Sequence, residues 1–122
     1  VIVTENMFGD IISDLGAATV GGMGMSPTAE VGDNNGFFQA AHGSAPDIAG
    51  LGIANPLGTI LSGGLMLTWL GERHRDNALI DAGARIDSAV GKVIDNPSLQ
   101  PGDLGGKATS AEITDAVVAA LA

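Results

Sequence analysis

The segment that decides the fold runs from Asn6 to Leu15 and reads Asn6-Met7-Phe8-Gly9-Asp10-Ile11-Ile12-Ser13-Asp14-Leu15. Its large apolar residues recur every four positions, with two more beside them, and this spacing is typical of one face of an α-helix. We therefore predict an amphipathic helix from Met7 to about Ala18, capped by Asn6. The glycine cluster Gly21-Gly22-Met23-Gly24 is expected to end this helix.

Two aspartates, Asp10 and Asp14, are four residues apart in the predicted helix, so both carboxylates project from one face near the helix start. Oxygen ligands of this kind suit a hard cation such as Mg²⁺ or Mn²⁺. The alternative is a pair of solvated acids on an exposed face, with Asp10 favoured by the helix dipole. The spacing by itself leaves both interpretations open.

Strand signals lie on both sides of this helix. The opening run Val1-Ile2-Val3-Thr4 is β-branched throughout, as expected of a short buried strand. Because no initiator Met and no basic leader precede it, we expect Val1 to be a cut end. Further along, residues 28–31 and 37–40 could form a hairpin around a turn at 32–36, whose residues tolerate positive φ.

Helix signals dominate the second half of the chain. One helix is predicted from Pro56, which suits a first helical turn, to Leu70. Apolar periodicity predicts another from about Asp76 to Asp95, stopped by Asn96-Pro97. Thr109-Ser110-Ala111-Glu112 has the spacing of a capping box, and a last helix is expected to follow it.

Composition limits the classes of function. The chain has 122 residues, 45% of them hydrophobic, which suits one globular domain. Its net charge of −9 has the wrong sign for binding nucleic acid, and without cysteine it cannot form disulfides or thiolate metal sites. Its longest apolar stretch, 57–70, is shorter than the ~20 residues of a membrane span, so we predict a buried helix there and no membrane contact. A cytoplasmic location is a separate expectation.

A long glycine-rich loop reads His42-Gly43-Ser44-Ala45-Pro46-Asp47-Ile48-Ala49-Gly50 and continues to Gly52-Ile53-Ala54-Asn55-Pro56. It has no apolar periodicity and is predicted to be an ordered loop rather than a simple connector. Judged by residue type alone, His42 is more often a structural histidine and Asp47 an ordinary turn acid. Neither this loop nor the 21–24 cluster is the G-x-G-x-x-G fingerprint.

The segment 6–15, the loop 42–56 and the stretch Asp103-Leu104-Gly105-Gly106-Lys107-Ala108-Thr109 together resemble the C-terminal part of the isopropylmalate/isocitrate dehydrogenase family. The resemblance implies an α/β fold with helices packed on a mixed sheet. Residues 1–20 would end the smaller domain, and 21–122 would form the C-terminal part of the large NAD-binding domain. The first helix would join a four-helix bundle with a second subunit, so a homodimer is implied.

The resemblance also assigns residues. Asp10 and Asp14 would be ligands of Mg²⁺ or Mn²⁺, His42 and Asn55 would contact adenine, and Asp47 would bind the ribose hydroxyls. The predicted cofactor-binding residues are His42, Gly43, Ser44, Ala45, Pro46, Asp47, Ile48 and Asn55. A carboxylate repels a 2′-phosphate, and residues 37–56 contain no Lys or Arg, so NAD is favoured over NADP.

The implied activity is the oxidative decarboxylation of a 2-hydroxy acid, with 3-isopropylmalate as first choice and isocitrate, homoisocitrate and tartrate as alternatives. The family's substrate-binding arginines and its catalytic lysine and tyrosine precede the matched region, and the chain has no Tyr. We therefore expect the 122 residues to be inactive alone, and a non-catalytic assembly module is the rival interpretation. Gln39, where the family usually has an acid, and Leu51, in place of a common Lys, are departures.

Overall fold

A computed structural model describes residues 1–122 and contains helices, one hairpin and short 3₁₀ turns. The regular elements are α1 (Asn6–Thr19), β1 (Pro27–Val31), β2 (Gly36–Ala40), α2 (Leu57–His74), α3 (Asn77–Ile94) and α4 (Ser110–Leu121). The 3₁₀ turns are Met23–Met25, Pro46–Ile48, Pro97–Leu99 and Gly102–Leu104. The predicted α/β class is confirmed, and the sheet within this chain is a two-stranded antiparallel hairpin.

The beginning of the chain differs from the prediction in two respects. Residues 1–4 form no strand, because no other strand lies beside them and an isolated strand leaves its backbone donors and acceptors unpaired. Asn6 is the first residue of α1 and not its cap; Glu5 holds the cap position, without a capping hydrogen bond from its side chain. The helix ends as predicted, where Gly21 and Gly22 turn the chain with φ of 104° and 108°.

The predicted hairpin is present, and it sets the start of the long loop. Its register runs from the pair Pro27–Ala40 to the pair Val31–Gly36. Ser62 of α2 donates a hydrogen bond of 2.6 Å to the Gln39 carbonyl and so attaches β2 to the helix. The first residue of the loop after Ala40 is therefore held in position relative to α2.

Helix α2 continues one turn beyond the predicted end at Leu70 and stops at His74. The added turn carries Arg73, whose guanidinium lies 5.2 Å from the centroid of the Trp69 ring. Arg73 also donates to the Asp33 carbonyl at 2.6 Å. The extra helical turn is thus held against the hairpin turn by a contact that no local sequence signal reveals.

Helices α2 and α3 touch through glycines. A Cβ added at Gly83 of α3 would lie 2.8 Å from the Gly64 carbonyl of α2, so the two backbones approach directly. Helix α3 begins as predicted after Asp76, whose Oδ1 accepts from the Ala78 N–H at 2.9 Å. No helix of the structure combines the length and the apolar character needed to cross a membrane.

The core lies between α2, α3, α4 and the turn after α1. Its buried residues are Met25, Leu57, Ala89, Val90, Val93, Ala108, Ile113 and Val117. Helix α4 starts with the predicted capping box: the Glu112 carboxylate accepts from the Thr109 N–H and hydroxyl, each at 2.8 Å. These hydrogen bonds, the backbone one first, hold the pKa of Glu112 below its usual value of 4.5.

Candidate functional site

The long loop between β2 and α2 forms most of the wall of a cavity of about 950 Å³. This volume lies at the upper end of the range typical of small-molecule and cofactor sites. The residues lining it are Gly24, His42, Gly43, Ser44, Ala45, Ile48, Ala49, Gly50, Gly52, Ile53, Ala54, Asn55, Gly102 and Asp103. The cavity therefore joins the loop to two distant turns, one after α1 and one before α4.

Backbone hydrogen bonds hold the loop in shape. The Ile48 N–H donates to the Ala45 carbonyl at 3.1 Å, and Ala45 itself has a left-handed backbone with φ of 44°. Farther along, the first residue of α4 holds the loop from outside. The Ser110 N–H donates to the Gly52 carbonyl at 2.8 Å, and its hydroxyl donates to the Ala54 carbonyl. The loop is thus ordered, as the sequence predicts.

Asn55 stands at the junction of the loop and α2, and both ends of its amide are engaged. Its Oδ1 accepts from the Leu57 N–H at 2.9 Å, which satisfies a donor in the first turn of α2. Its Nδ2 donates to Asp103 Oδ2 at 3.0 Å. Pro56 precedes α2 instead of occupying its first turn, since its carbonyl accepts the first helical hydrogen bond, from Ile60.

The orientation of the His42 ring follows from its contact with the backbone. Nδ1 lies 2.8 Å from the Gly43 carbonyl oxygen. Because a carbonyl can only accept, Nδ1 carries the hydrogen and, in the neutral ring, Nε2 is left as an acceptor. The exposed ring lines the cavity. His42 therefore offers an acceptor to a ligand with an N–H group.

The structure brings together six of the eight predicted cofactor-binding residues. His42, Gly43, Ser44, Ala45, Ile48 and Asn55 line the cavity, whereas Pro46 and Asp47 do not. Asp47 is exposed in the 3₁₀ turn, next in sequence to the lining residue Ile48. The predicted ribose contact of Asp47 thus requires a ligand that extends beyond the cavity wall toward that turn.

Eight lining residues were not among the predicted cofactor-binding residues, and Asp103 is the one of them with a charged side chain. It lies in the stretch 103–109, which carried a resemblance but no assigned role, and it is the only carboxylate in the wall. No Lys or Arg lines the cavity. With no basic side chain and one carboxylate, the wall favours a neutral group over a phosphate on grounds of charge.

The two candidate metal ligands lie apart from this wall. Asp10 and Asp14 are both exposed on α1, one helical turn apart, and neither lines the cavity. The structure contains no group of three or more His, Cys, Asp or Glu side chains placed to hold a metal ion. Since Mg²⁺ takes six oxygen ligands, two carboxylates supply a part of one site, and water, substrate or other protein groups must supply the rest.

Comparison with known proteins defines the class to which this fold and loop belong. The pattern of the family described as "Isocitrate/isopropylmalate dehydrogenase" matches residues 1–117. The chain is 50% identical over 121 residues to the isocitrate/homoisocitrate dehydrogenase of Thermus thermophilus, covering 99% of this chain and 34% of that protein. It is 48% identical over 122 residues to the 3-isopropylmalate dehydrogenase of Zymomonas mobilis, covering 99% of this chain and 33% of the relative.

Structural comparison agrees. The crystal structure of isocitrate dehydrogenase from Methylococcus capsulatus superimposes with a TM-score of 0.82 at 42% identity, covering 95% of this chain and 33% of that one. The chain therefore belongs to the isocitrate/isopropylmalate dehydrogenase family, as its motifs indicate. It spans about a third of the length of these relatives.

Proposed function

We propose that this chain supplies the adenosine cavity and two metal ligands of an NAD-dependent enzyme that oxidatively decarboxylates a 2-hydroxy acid. The observation that carries the proposal is the cavity itself, a space of about 950 Å³ lined by six of the eight residues assigned to cofactor binding. Bound NAD⁺ supplies the hydride acceptor and a divalent cation supplies Lewis-acid stabilisation of negative charge on the substrate. The contribution of this chain is to bind and orient both.

The chemistry of the wall supports NAD over NADP. Adenosine is neutral and has an amino group that matches the acceptor on His42 Nε2 in the wall, and its ribose hydroxyls would reach the carboxylate of Asp47 in the 3₁₀ turn beyond it. A 2′-phosphate needs cationic partners, and the wall contains none. Titration of the complete enzyme with each dinucleotide tests this. We expect NAD⁺ to bind at least tenfold more tightly than NADP⁺, and equal affinity would contradict the preference.

We propose Asp10 and Asp14 as metal ligands because α1 presents both carboxylates, exposed, on one face. The Ser13 hydroxyl donates to the Asp10 backbone carbonyl at 2.9 Å, so it does not occupy a carboxylate oxygen of Asp10 or Asp14 that a metal ion would need. Asp10→Asn and Asp14→Asn in the complete enzyme should each raise the Mn²⁺ concentration needed for half-maximal turnover. Glu5→Gln, which removes another exposed acid near the helix start, is the matched control. Unchanged metal dependence in both aspartate variants would reject the assignment.

The substrate proposal is 3-isopropylmalate, with isocitrate or homoisocitrate as the second candidate. The relatives at 50% and 48% identity carry the isocitrate/homoisocitrate and the 3-isopropylmalate name respectively, so identity does not separate the two. Steady-state assays of the complete enzyme with each acid, NAD⁺ and Mn²⁺ distinguish them. The proposal predicts the highest kcat/KM with 3-isopropylmalate, and a higher value with isocitrate would replace it with the second candidate.

Four further expectations remain predictions. Two of them are that residues 1–20 end the smaller domain while 21–122 belong to the large domain, and that the protein is cytoplasmic. The homodimer is supported by the exposed apolar side chains of α1, which are 42% to 68% accessible at Met7, Phe8, Ile11, Ile12 and Leu15. Inactivity of the 122 residues alone is tested by assaying them with Mn²⁺ and NAD⁺. Turnover by this piece would overturn that expectation.

A further inference from the structure

Three distant segments of the chain meet at one edge of the cavity. Gly24 comes from the turn after α1, Asn55 from the end of the long loop, and Asp103 from the 3₁₀ turn before α4. Their contact is close enough that a Cβ at Gly24 would lie 3.0 Å from Asn55 Cβ and would collide with Asp103 Oδ2. Only glycine at position 24 leaves room for the other two side chains to pair.

The Asn55 amide has one hydrogen available to a ligand. Its Oδ1 accepts a hydrogen bond from the Leu57 N–H, and this contact identifies Nδ2 as the end of the amide that donates. One Nδ2 hydrogen is donated to Asp103 Oδ2 at 3.0 Å. The second Nδ2 hydrogen has no protein partner, and Asn55 lines the cavity. The hydrogen bond to Asp103 therefore holds the amide plane and leaves one donor for the ligand.

The backbone turn that carries the exposed Asp103 is held by hydrogen bonds. Pro101 is fully buried, and its carbonyl accepts from the Leu104 N–H at 3.1 Å and from the Gly106 N–H at 2.9 Å. Leu104 packs against the core. A carboxylate on such a turn accepts a charge-assisted hydrogen bond with little loss of backbone entropy, which is the physical basis of preorganisation.

We infer that Asp103 is a positioning residue of the nucleotide cavity: it orients the Asn55 amide, and through it the base of the bound dinucleotide, without contacting the ligand itself. This inference rests on the proposed function, because it takes NAD⁺ as the ligand. It adds a residue from a segment 48 positions away from Asn55 to the set that determines cofactor affinity. It also explains why Gly24, which has no side chain to offer, belongs to the wall.

The test uses the complete enzyme with NAD⁺, AMP and nicotinamide mononucleotide as separate probes in calorimetric titrations. Asp103→Ala should weaken NAD⁺ and AMP binding about tenfold, the size expected for one hydrogen bond to a charged group, and leave mononucleotide binding unchanged. KM for NAD⁺ should rise by the same factor, with a much smaller change in kcat. Asp103→Asn, which retains an acceptor oxygen, should keep most of the affinity. Asp115→Ala, an exposed acid of α4, is the control for loss of charge.

Coupling to Asn55 separates positioning from a merely structural role. Asn55→Asp retains the acceptor for Leu57 but has no donor for Asp103, so adding Asp103→Ala to it should not weaken AMP binding further. Gly24→Ala, which intrudes on the pair, should act like Asp103→Ala. Wild-type affinity in both Asp103 variants, or an equal loss in the Asn55→Asp background, would overturn the inference. Failure of the wild-type enzyme to bind NAD⁺ would instead overturn the proposed function, and the inference with it.

Discussion

Helix α1 differs from the body formed by α2, α3 and α4 in whether its apolar face is covered within this chain, although both regions contain amphipathic helices. In the body, the apolar side chains of three helices cover one another, and Leu57 and Ile113 are completely buried. In α1 only Ala17 is buried, and the five large apolar residues of its face are exposed. The same sequence pattern thus produces a closed core in one region and an open face in the other.

This difference divides the proposed chemistry between the two regions. The proposed nucleotide cavity is lined by the loop and turns attached to the body, and contacts within this chain determine its shape. The two candidate metal ligands are on α1, whose apolar face is exposed within this chain. We therefore expect substitutions in the body to change stability, and substitutions on the α1 face to change assembly.

The largest expected effect comes from the centre of the body. Ile113→Ala removes a side chain with no exposed surface and leaves a cavity, which costs about 2–5 kcal/mol of the free energy of unfolding. Denaturant titration measures it. Val118→Ala on the same helix, where the side chain is 62% exposed, is the control and should change the free energy by less than about 0.5 kcal/mol. Similar losses in the two variants would mean that α4 does not bury the face that carries Ile113 and Val117.

The next effect tests the close contact of α2 with α3. Gly83→Ala places a Cβ 2.8 Å from the Gly64 carbonyl and against the Thr68 hydroxyl, so the helices must separate, at a cost of about 1–3 kcal/mol. Gly91→Ala in the same helix meets nothing within 4 Å and should stabilise the protein by about 0.5–1 kcal/mol through its higher helix propensity. A shift of the melting temperature in the same direction for both would contradict this packing.

A smaller effect tests the capping box of α4. Thr109→Ala removes the cap and should cost about 1 kcal/mol. Because the folded pKa of Glu112 is lowered, its contribution is present above pH 4.5 and is lost as the pH falls through the folded value. The stability difference between wild type and Glu112→Gln should therefore shrink below pH 4.5. A difference that stays constant from pH 7 to pH 3 would show that the carboxylate hydrogen bonds do not contribute.

The structural features that were predicted best from the sequence are those determined by residues close together in the chain. The helix after Asp76, the capping box at Thr109 and the turn of the hairpin all follow from signals within a few residues, and all three are present. Family motifs added the loop, six of whose eight assigned residues line the cavity. Local propensity failed at 1–4, because a strand needs a neighbouring strand as well as β-branched residues.

Asp103 and Arg73 show why the rest could not be predicted. In the sequence, Asp103 is an ordinary acidic residue of a turn, and only the fold shows that its Oδ2 lies 3.0 Å from Asn55 Nδ2. Arg73 looks like a helix-terminal cation until it meets Trp69 and the hairpin turn. The contacts of Asp103 with Asn55 and of Arg73 with Asp33 join residues that are far apart in the chain, and their energies depend on geometry that no short window of sequence contains.

The smallest expected effect on stability is on α1, and it separates the two regions most directly. Ile11 is 54% exposed, so Ile11→Ala should change the unfolding free energy of the 122-residue chain by less than about 0.5 kcal/mol. In the complete enzyme the same change should weaken the proposed dimer, since an apolar side chain at an interface loses its burial. Sedimentation at several concentrations measures the dimer. Unchanged association in Ile11→Ala and in Leu15→Ala would place the subunit contact elsewhere, while a large loss of stability in the chain alone would mean that α1 packs on the body after all.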